Sequence, residues 1–224
     1  MKSAPSSMVC MDVRIPAGKV MLDGQLCLPP EASGVVLFAH GSGSSRHSPR
    51  NQFVAEIIRE ASVGTLLFDL LTRDEEAEDD RTRALRFDID LLARRLVAAT
   101  RWLLHQEAAR GLSVGFFGAS TGGGAALMAA AQLGAAIAAV VSRGGRPDLA
   151  GSALPQVHSP TLLIVGGYDG VVIDLNRRAY DELRCPKELV VVPRASHLFA
   201  EPGKLEQVAR LSADWFQKYF TPSA

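Results

Sequence analysis

Short apolar runs bounded by glycine recur along this chain, and most are followed by a segment with helical spacing. "GVVLFAHG" (34–41) is the clearest. A strand that is apolar at every position, not at alternate ones, must be covered on both faces, as a central parallel strand is. "TLLFDLL" (65–71), "LSVGFFGAS" (112–120), "IAAVVSRGG" (137–145), "TLLIVGGYD" (161–169) and "KELVVVP" (187–193) read the same way. Helical patterns stand between them at 51–62, 85–106, 121–133 and 173–183, and a last one closes the chain at 203–220. Upstream, "VCMDVRIPAG" and "VMLDGQLCLPP" alternate apolar and polar residues and read as a hairpin. The expectation is an α/β fold: a mostly parallel sheet of about eight strands with helices on both faces. Connections are short and no repeat or linker stands out, so residues 1–224 are expected to form one domain. The segment "TRDEEAEDDRTRALR" (72–86) mixes both charge signs and reads as a solvated loop entering a helix.

Composition removes several function classes. The 24 basic and 24 acidic side chains balance, which leaves no electrostatic footprint for nucleic acid or an anionic membrane. No apolar stretch is long enough to span a bilayer, and the N-terminus lacks a signal-peptide core. Cys10, Cys27 and Cys185 are odd in number and show no CxxC spacing. They read as reduced thiols in a cytoplasmic protein, with no metal site.

Chemistry enters at "GASTG" (118–122), a G-x-S-x-G pentapeptide between an expected strand and an expected helix. Such a turn lifts Ser120 out of the strand, and the residues two before and two after it must lack a Cβ. A serine hydroxyl is a poor nucleophile until a base removes its proton and a third group orients that base. His197, just after the last strand, is the candidate base; His105 and His158 lie away from strand ends. Asp169, closing "TLLIVGGYD", is the candidate orienting carboxylate, with Asp174 as the rival and Asp148 less well placed. Ser120, Asp169 and His197 each follow a strand, at the edge where open α/β sheets collect ligands. The oxyanion of a tetrahedral intermediate needs N–H donors, which Thr121 and Ser42 of "AHGSGSS" are expected to supply. Arg143 and His40, also at strand ends, are candidate substrate-binding residues. Arg146 is an alternative to Arg143 for attracting a carboxylate on the substrate, Arg73 is a weaker candidate, and Asp69 reads as ordering the neighbouring loop.

With these motifs in place, "HGSGSS", "GASTGGG", "SRGGRPDLAG" and "ASHLF" resemble the α/β-hydrolase superfamily and, within it, the dienelactone-hydrolase-like group. The resemblance implies an α/β-hydrolase fold and a Ser120–His197–Asp169 triad with an oxyanion hole at Ser42 and Thr121. Dienelactone hydrolases proper carry a cysteine nucleophile where this chain has serine, which favours ordinary esters over dienelactone. The connection 142–160 is too short and polar for a large lid, so a small soluble ester is the expected substrate, with no cofactor. A thioesterase, a small-peptide hydrolase and a non-catalytic hydrolase-fold binding module stay open as alternatives. Homodimer formation is a partner expectation. So is association with a phosphoribosyltransferase, which the resemblance implies because some members of the group occur beside or fused to such modules.

Overall fold

A computed structural model describes residues 7–220. Residues 1–6, which entered the reading of the N-terminus, lie outside that range. Eight strands form one sheet in the order β1-β2-β4-β3-β5-β6-β7-β8. β1 (Val9–Ala17) and β2 (Val20–Leu28) make the expected hairpin, and β2 joins β4 (Gly64–Phe68) antiparallel. The remainder is parallel: β3 (Gly34–Ala39), β5 (Ser113–Ala119), β6 (Ala139–Arg143), β7 (Thr161–Gly166) and β8 (Lys187–Val192).

The period of two along each strand divides the core into two layers. Val35, Leu37 and Ala39 of β3 face one layer with α3 (Ile89–Leu104), α4 (Thr121–Leu133) and α5 (Gly170–Glu182). Val36 and Phe38 face the other, with α1 (Pro49–Glu60) and α6 (Lys204–Tyr219). All six residues of β3 are therefore buried, which is why its sequence is apolar throughout. This doubly covered sheet fixes the carboxyl ends of β3, β5, β6 and β7 as one rigid rim.

Two expectations need correction. Residues 72–86 are not a plain loop, because Arg73–Thr82 is a helix, α2, followed by a 3₁₀ turn at Leu85–Phe87. A capping box starts it: the Thr72 hydroxyl accepts from the Glu75 N–H, and the Glu75 carboxylate accepts from the Thr72 N–H. Buried Asp79 holds the turn by accepting from the Leu85 and Arg86 N–H groups at 2.8 and 2.9 Å. The 142–160 stretch contains 3₁₀ turns over Pro147–Gln156, broken at Gly151 where φ is 49°.

Cys10 and Cys27, expected as free thiols, are joined in a disulfide. The hairpin register is the reason: it sets the two residues directly opposite each other, with Cα atoms 4.1 Å apart. The cysteine argument for a reducing compartment therefore falls. No helix among the described residues is long and apolar enough to cross a membrane. Alkylation of the denatured, unreduced protein should label one thiol per chain, Cys185, and all three cysteines after reduction. Three labelled thiols before reduction would contradict the pairing.

Candidate active site

The turn between β5 and α4 is closed by contacts that exclude side chains. A Cβ on Gly118 would sit 2.5 Å from the Gly122 carbonyl oxygen, and one on Gly122 would sit 2.0 Å from the Ala39 carbonyl oxygen. Gly123 and Gly124 are equally tight, against the Ser142 Oγ at 2.6 Å and the Arg146 carbonyl at 2.8 Å. The first turn of α4 thus lies directly on the end of β3 and on the loop after β6. Ser120, between them, is held at φ 51° and ψ −123°, a backbone conformation that costs a non-glycine residue about 1–3 kcal/mol. Its carbonyl accepts from the Gly123 and Arg146 N–H groups, both at 3.0 Å, and its N–H donates to the Arg143 carbonyl at 3.3 Å.

His197 and Asp169 meet across two neighbouring loops. The imidazole Nδ1 lies 2.6 Å from the Asp169 Oδ2, so with Asp169 ionised Nδ1–H donates and Nε2 keeps its lone pair. The loops are tied together by the Tyr168 N–H, which donates to the Ala195 carbonyl at 2.9 Å. The Glu201 carboxylate accepts from the Ser196 N–H at 3.0 Å, and that bond holds its pKa below the usual carboxylate range. Asp174, the rival carboxylate, sits instead on the outer face of α5 beside Arg177. Ser120 and His197 line the same cavity of about 220 Å³, together with Ser42, Asn51 and Arg143. No hydrogen bond joins the Ser120 hydroxyl to the ring in this conformer; such bonds often tighten when substrate binds.

The loop after β3 is anchored on both sides. The Ser42 hydroxyl lies 3.1 Å from the Thr121 hydroxyl and donates to the Arg86 carbonyl at 3.3 Å. A Cβ on Gly41 would approach the Ser120 Cβ to 3.0 Å, so the loop runs right beside the serine. Asp69 accepts from the Arg46 N–H at 2.7 Å and pairs with its guanidinium, which is the loop-ordering role expected of it. Beyond this loop, Gly41, Ser42 and Thr121 also border a second cavity of about 230 Å³, walled by Leu70, Glu76 and Arg86. The α2 segment builds part of that wall, which the reading of 72–86 as a loop had missed. Burial and the nearby Asp69 raise the Glu76 pKa.

The candidate substrate-binding residues part company. His40 is buried, and both ring nitrogens serve the backbone: Nε2 accepts from the Leu70 N–H at 3.0 Å, and Nδ1 donates to the Gly41 carbonyl at 3.1 Å. It ties the end of β3 to the segment after β4 and is better described as a positioning residue. Arg146 is paired with Asp148 through two hydrogen bonds of 2.8 and 2.7 Å. Arg73 starts α2 and borders a different hollow, beside Arg14 and Asp74. Arg143 is buried in the cavity with Ser120, and desolvation, reinforced by the charge of Arg50, lowers its pKa to about 10. An unpaired buried charge costs several kcal/mol, which marks this guanidinium out. Arg50 and Asn51, at the start of α1, border the same cavity and were missed from sequence. Proline at the first helical position, Pro49, was the available signal that a helix begins there.

A doubly covered parallel sheet with a strained serine on the β5–α4 turn, and a His–Asp pair on loops at the same rim, defines an α/β hydrolase. The sequence matches the model of the dienelactone hydrolase family over residues 22–220, and the chain belongs to that family. A dienelactone hydrolase from Anabaena variabilis is 58% identical, with a TM-score of 0.95, covering 96% of this chain and 100% of that one. Est1E from Butyrivibrio proteoclasticus, 15% identical with a TM-score of 0.79 over 93% of this chain and 98% of its own, shares the fold. A protein of Mycobacterium tuberculosis named "Putative phosphoribosyl transferase" is 57% identical over 92% of this chain. That match covers 45% of the relative, so the chain spans about half the length of the curated relatives it resembles. Family and fold together support a hydrolase.

Burial lowers the His40 pKa below its ordinary 6.5, so the folded protein keeps it neutral while the unfolded chain protonates it near that value. The unfolded state then binds more protons as pH falls through about 6.5, and stability is lost below it by at most about 1.4 kcal/mol per pH unit. Urea unfolding at two pH values, about 7.5 and 5.5, should show wild type losing more stability on acidification than His40→Gln. Equal losses would contradict the buried neutral ring.

Proposed function

We propose that this chain is a serine hydrolase of small, soluble carboxylic esters, working through an acyl-enzyme. The observation that carries the reading is Ser120, held at positive φ in the cavity that His197 also lines, with the His197 Nδ1 bonded to Asp169 at 2.6 Å. In this mechanism the Ser120 Oγ attacks the ester carbonyl carbon while Nε2 of His197 takes its proton. The carbonyl π electrons move onto oxygen, and the Ser42 and Thr121 N–H groups bind the resulting oxyanion. Collapse breaks the bond to the alcohol, which leaves with the proton from His197. Water then repeats the sequence on the acyl-serine, releasing the acid and restoring the hydroxyl. Asp169 fixes the ring tautomer and stabilises the imidazolium. The modest cavity of about 220 Å³ supports short acyl groups over long lipid chains. Within the dienelactone hydrolase family, serine at position 120 supports ordinary esters over dienelactone.

The length and name of the Mycobacterium relative support one partner reading: this hydrolase unit works alongside a phosphoribosyltransferase module. Sedimentation of this chain with the non-matching portion of that relative should show a complex if the reading is right, and two independent species if it is wrong.

Hydrolysis of p-nitrophenyl acetate and butyrate reads the triad directly. Ser120→Ala should lower kcat by about 10⁴-fold or more, and Asp169→Asn by about 10³–10⁴-fold with KM little changed. Thermal melts would show whether both variants are folded. Folded Ser120→Ala protein turning over at the wild-type rate would remove the proposal.

A further inference from the structure

Among the described residues no ion pair neutralises the positive charge beside Ser120, although Arg50 also borders a neighbouring hollow with Glu201 and Glu206. Arg143 ends β6 and pairs in register with Ala119, the residue before the serine. Its guanidinium is buried, the residue being 5% exposed. Nη2 donates a long hydrogen bond of 3.4 Å to the Asn51 Oδ1, the Phe199 ring centroid lies 6.0 Å from Cζ, and Nε has no hydrogen-bond partner. Among the described residues, the charge that perturbs it is the like-signed Arg50. Arg50 is the second residue of α1, whose N-terminus opens onto this cavity through Ser48, Arg50 and Asn51. The Ser48 side chain does not cap the helix, and its first turn holds no acidic residue. No carboxylate belongs to the cavity lining, which also includes Ser44.

Two guanidinium groups on separate elements, an uncapped helix N-terminus and serine hydroxyls therefore converge beside the proposed nucleophile. A planar monoanion is matched by one guanidinium fork. A tetrahedral group with three free oxygens and two charges uses donors arriving from several directions, and helix N-termini suit it through their free N–H groups and dipole. We propose that the region between Arg143 and the N-terminus of α1 binds a phosphate-type dianion carried by the ester substrate. The site is read from the charges and hydrogen-bond donors around the cavity; its place in a substrate rests on the serine-hydrolase reading above.

Calorimetric titration of Ser120→Ala protein with inorganic phosphate and with acetate tests the site without requiring turnover. Phosphate should bind about tenfold or more tightly than acetate, and both Arg143→Gln and Arg50→Gln should weaken it by about tenfold or more. Arg50 lies at the helix surface, so its variant keeps the test valid if Arg143→Gln fails to fold. With wild type, the p-nitrophenyl ester of 3-phosphonopropionate should exceed the hemisuccinate and the butyrate in kcat/KM by about tenfold or more, an advantage lost in Arg50→Gln. Absent phosphate binding, or binding unchanged in both arginine variants, would overturn the site. Acetate binding as tightly as phosphate, or hemisuccinate as the best ester, would overturn the dianion assignment. Phosphate binding by a wild-type protein that cleaves none of the three esters would support the site and overturn the hydrolase reading.

Discussion

Everything at the rim that holds Ser120 depends on how closely the first turn of α4 crosses the end of β3. A single carbon added at Gly122 would lie 2.0 Å from the Ala39 carbonyl oxygen. That crossing leaves the chain no room to relax between β5 and α4, and Ser120 absorbs the constraint as a positive φ. The energy of that conformation is met by the two apolar layers that hold the sheet and helices in place. A buried parallel sheet and a half-buried serine held at positive φ are, in this chain, two consequences of one packing arrangement.

Around this turn, polar side chains hold loops and leave the reacting atoms free. His40 fastens the end of β3 to the Leu70 N–H, the Ser42 hydroxyl reaches the Thr121 hydroxyl, and Asp69 orders the loop at Arg46. These contacts fix the two segments whose N–H groups would face an oxyanion. The site is thereby preorganised, which is what electrostatic stabilisation of a transition state requires. The same loop separates two cavities of different character. One is bordered by Arg50 and Arg143, the other by Glu76, Asp79 and Arg86. Ser120 lines the first, on the same side of the loop as the positive side chains of Arg50 and Arg143.

Much of this was legible in the sequence because it follows from period and position. Apolar runs such as 34–39 identify buried parallel strands, and the positions of Ser120, Asp169 and His197 after β5, β7 and β8 place them on one rim. Legibility failed where pairing decides structure. The hairpin was read correctly, but its register, which sets Cys10 opposite Cys27, was not carried through to the disulfide. The α2 helix lacks an apolar face and was passed over, although Thr72 and Glu75 have the spacing of a capping box. His40 was judged by its location, and only the three-dimensional contacts show both ring nitrogens engaged by the backbone. That Arg143 has no ion-pair partner among the described residues is a matter of tertiary structure and leaves no mark on the residues flanking it.

The central claim is that one hydroxyl on the β5–α4 turn is made nucleophilic by an imidazole at the same rim. Reaction with a fluorophosphonate, followed by peptide mapping, reads this most directly, since the reagent marks an activated serine whatever its natural substrate. One adduct per chain, located on Ser120 and reduced by about 10³-fold or more in rate by His197→Ala, is the expected result. An adduct on another serine, or labelling of Ser120 at an undiminished rate without His197, would contradict it.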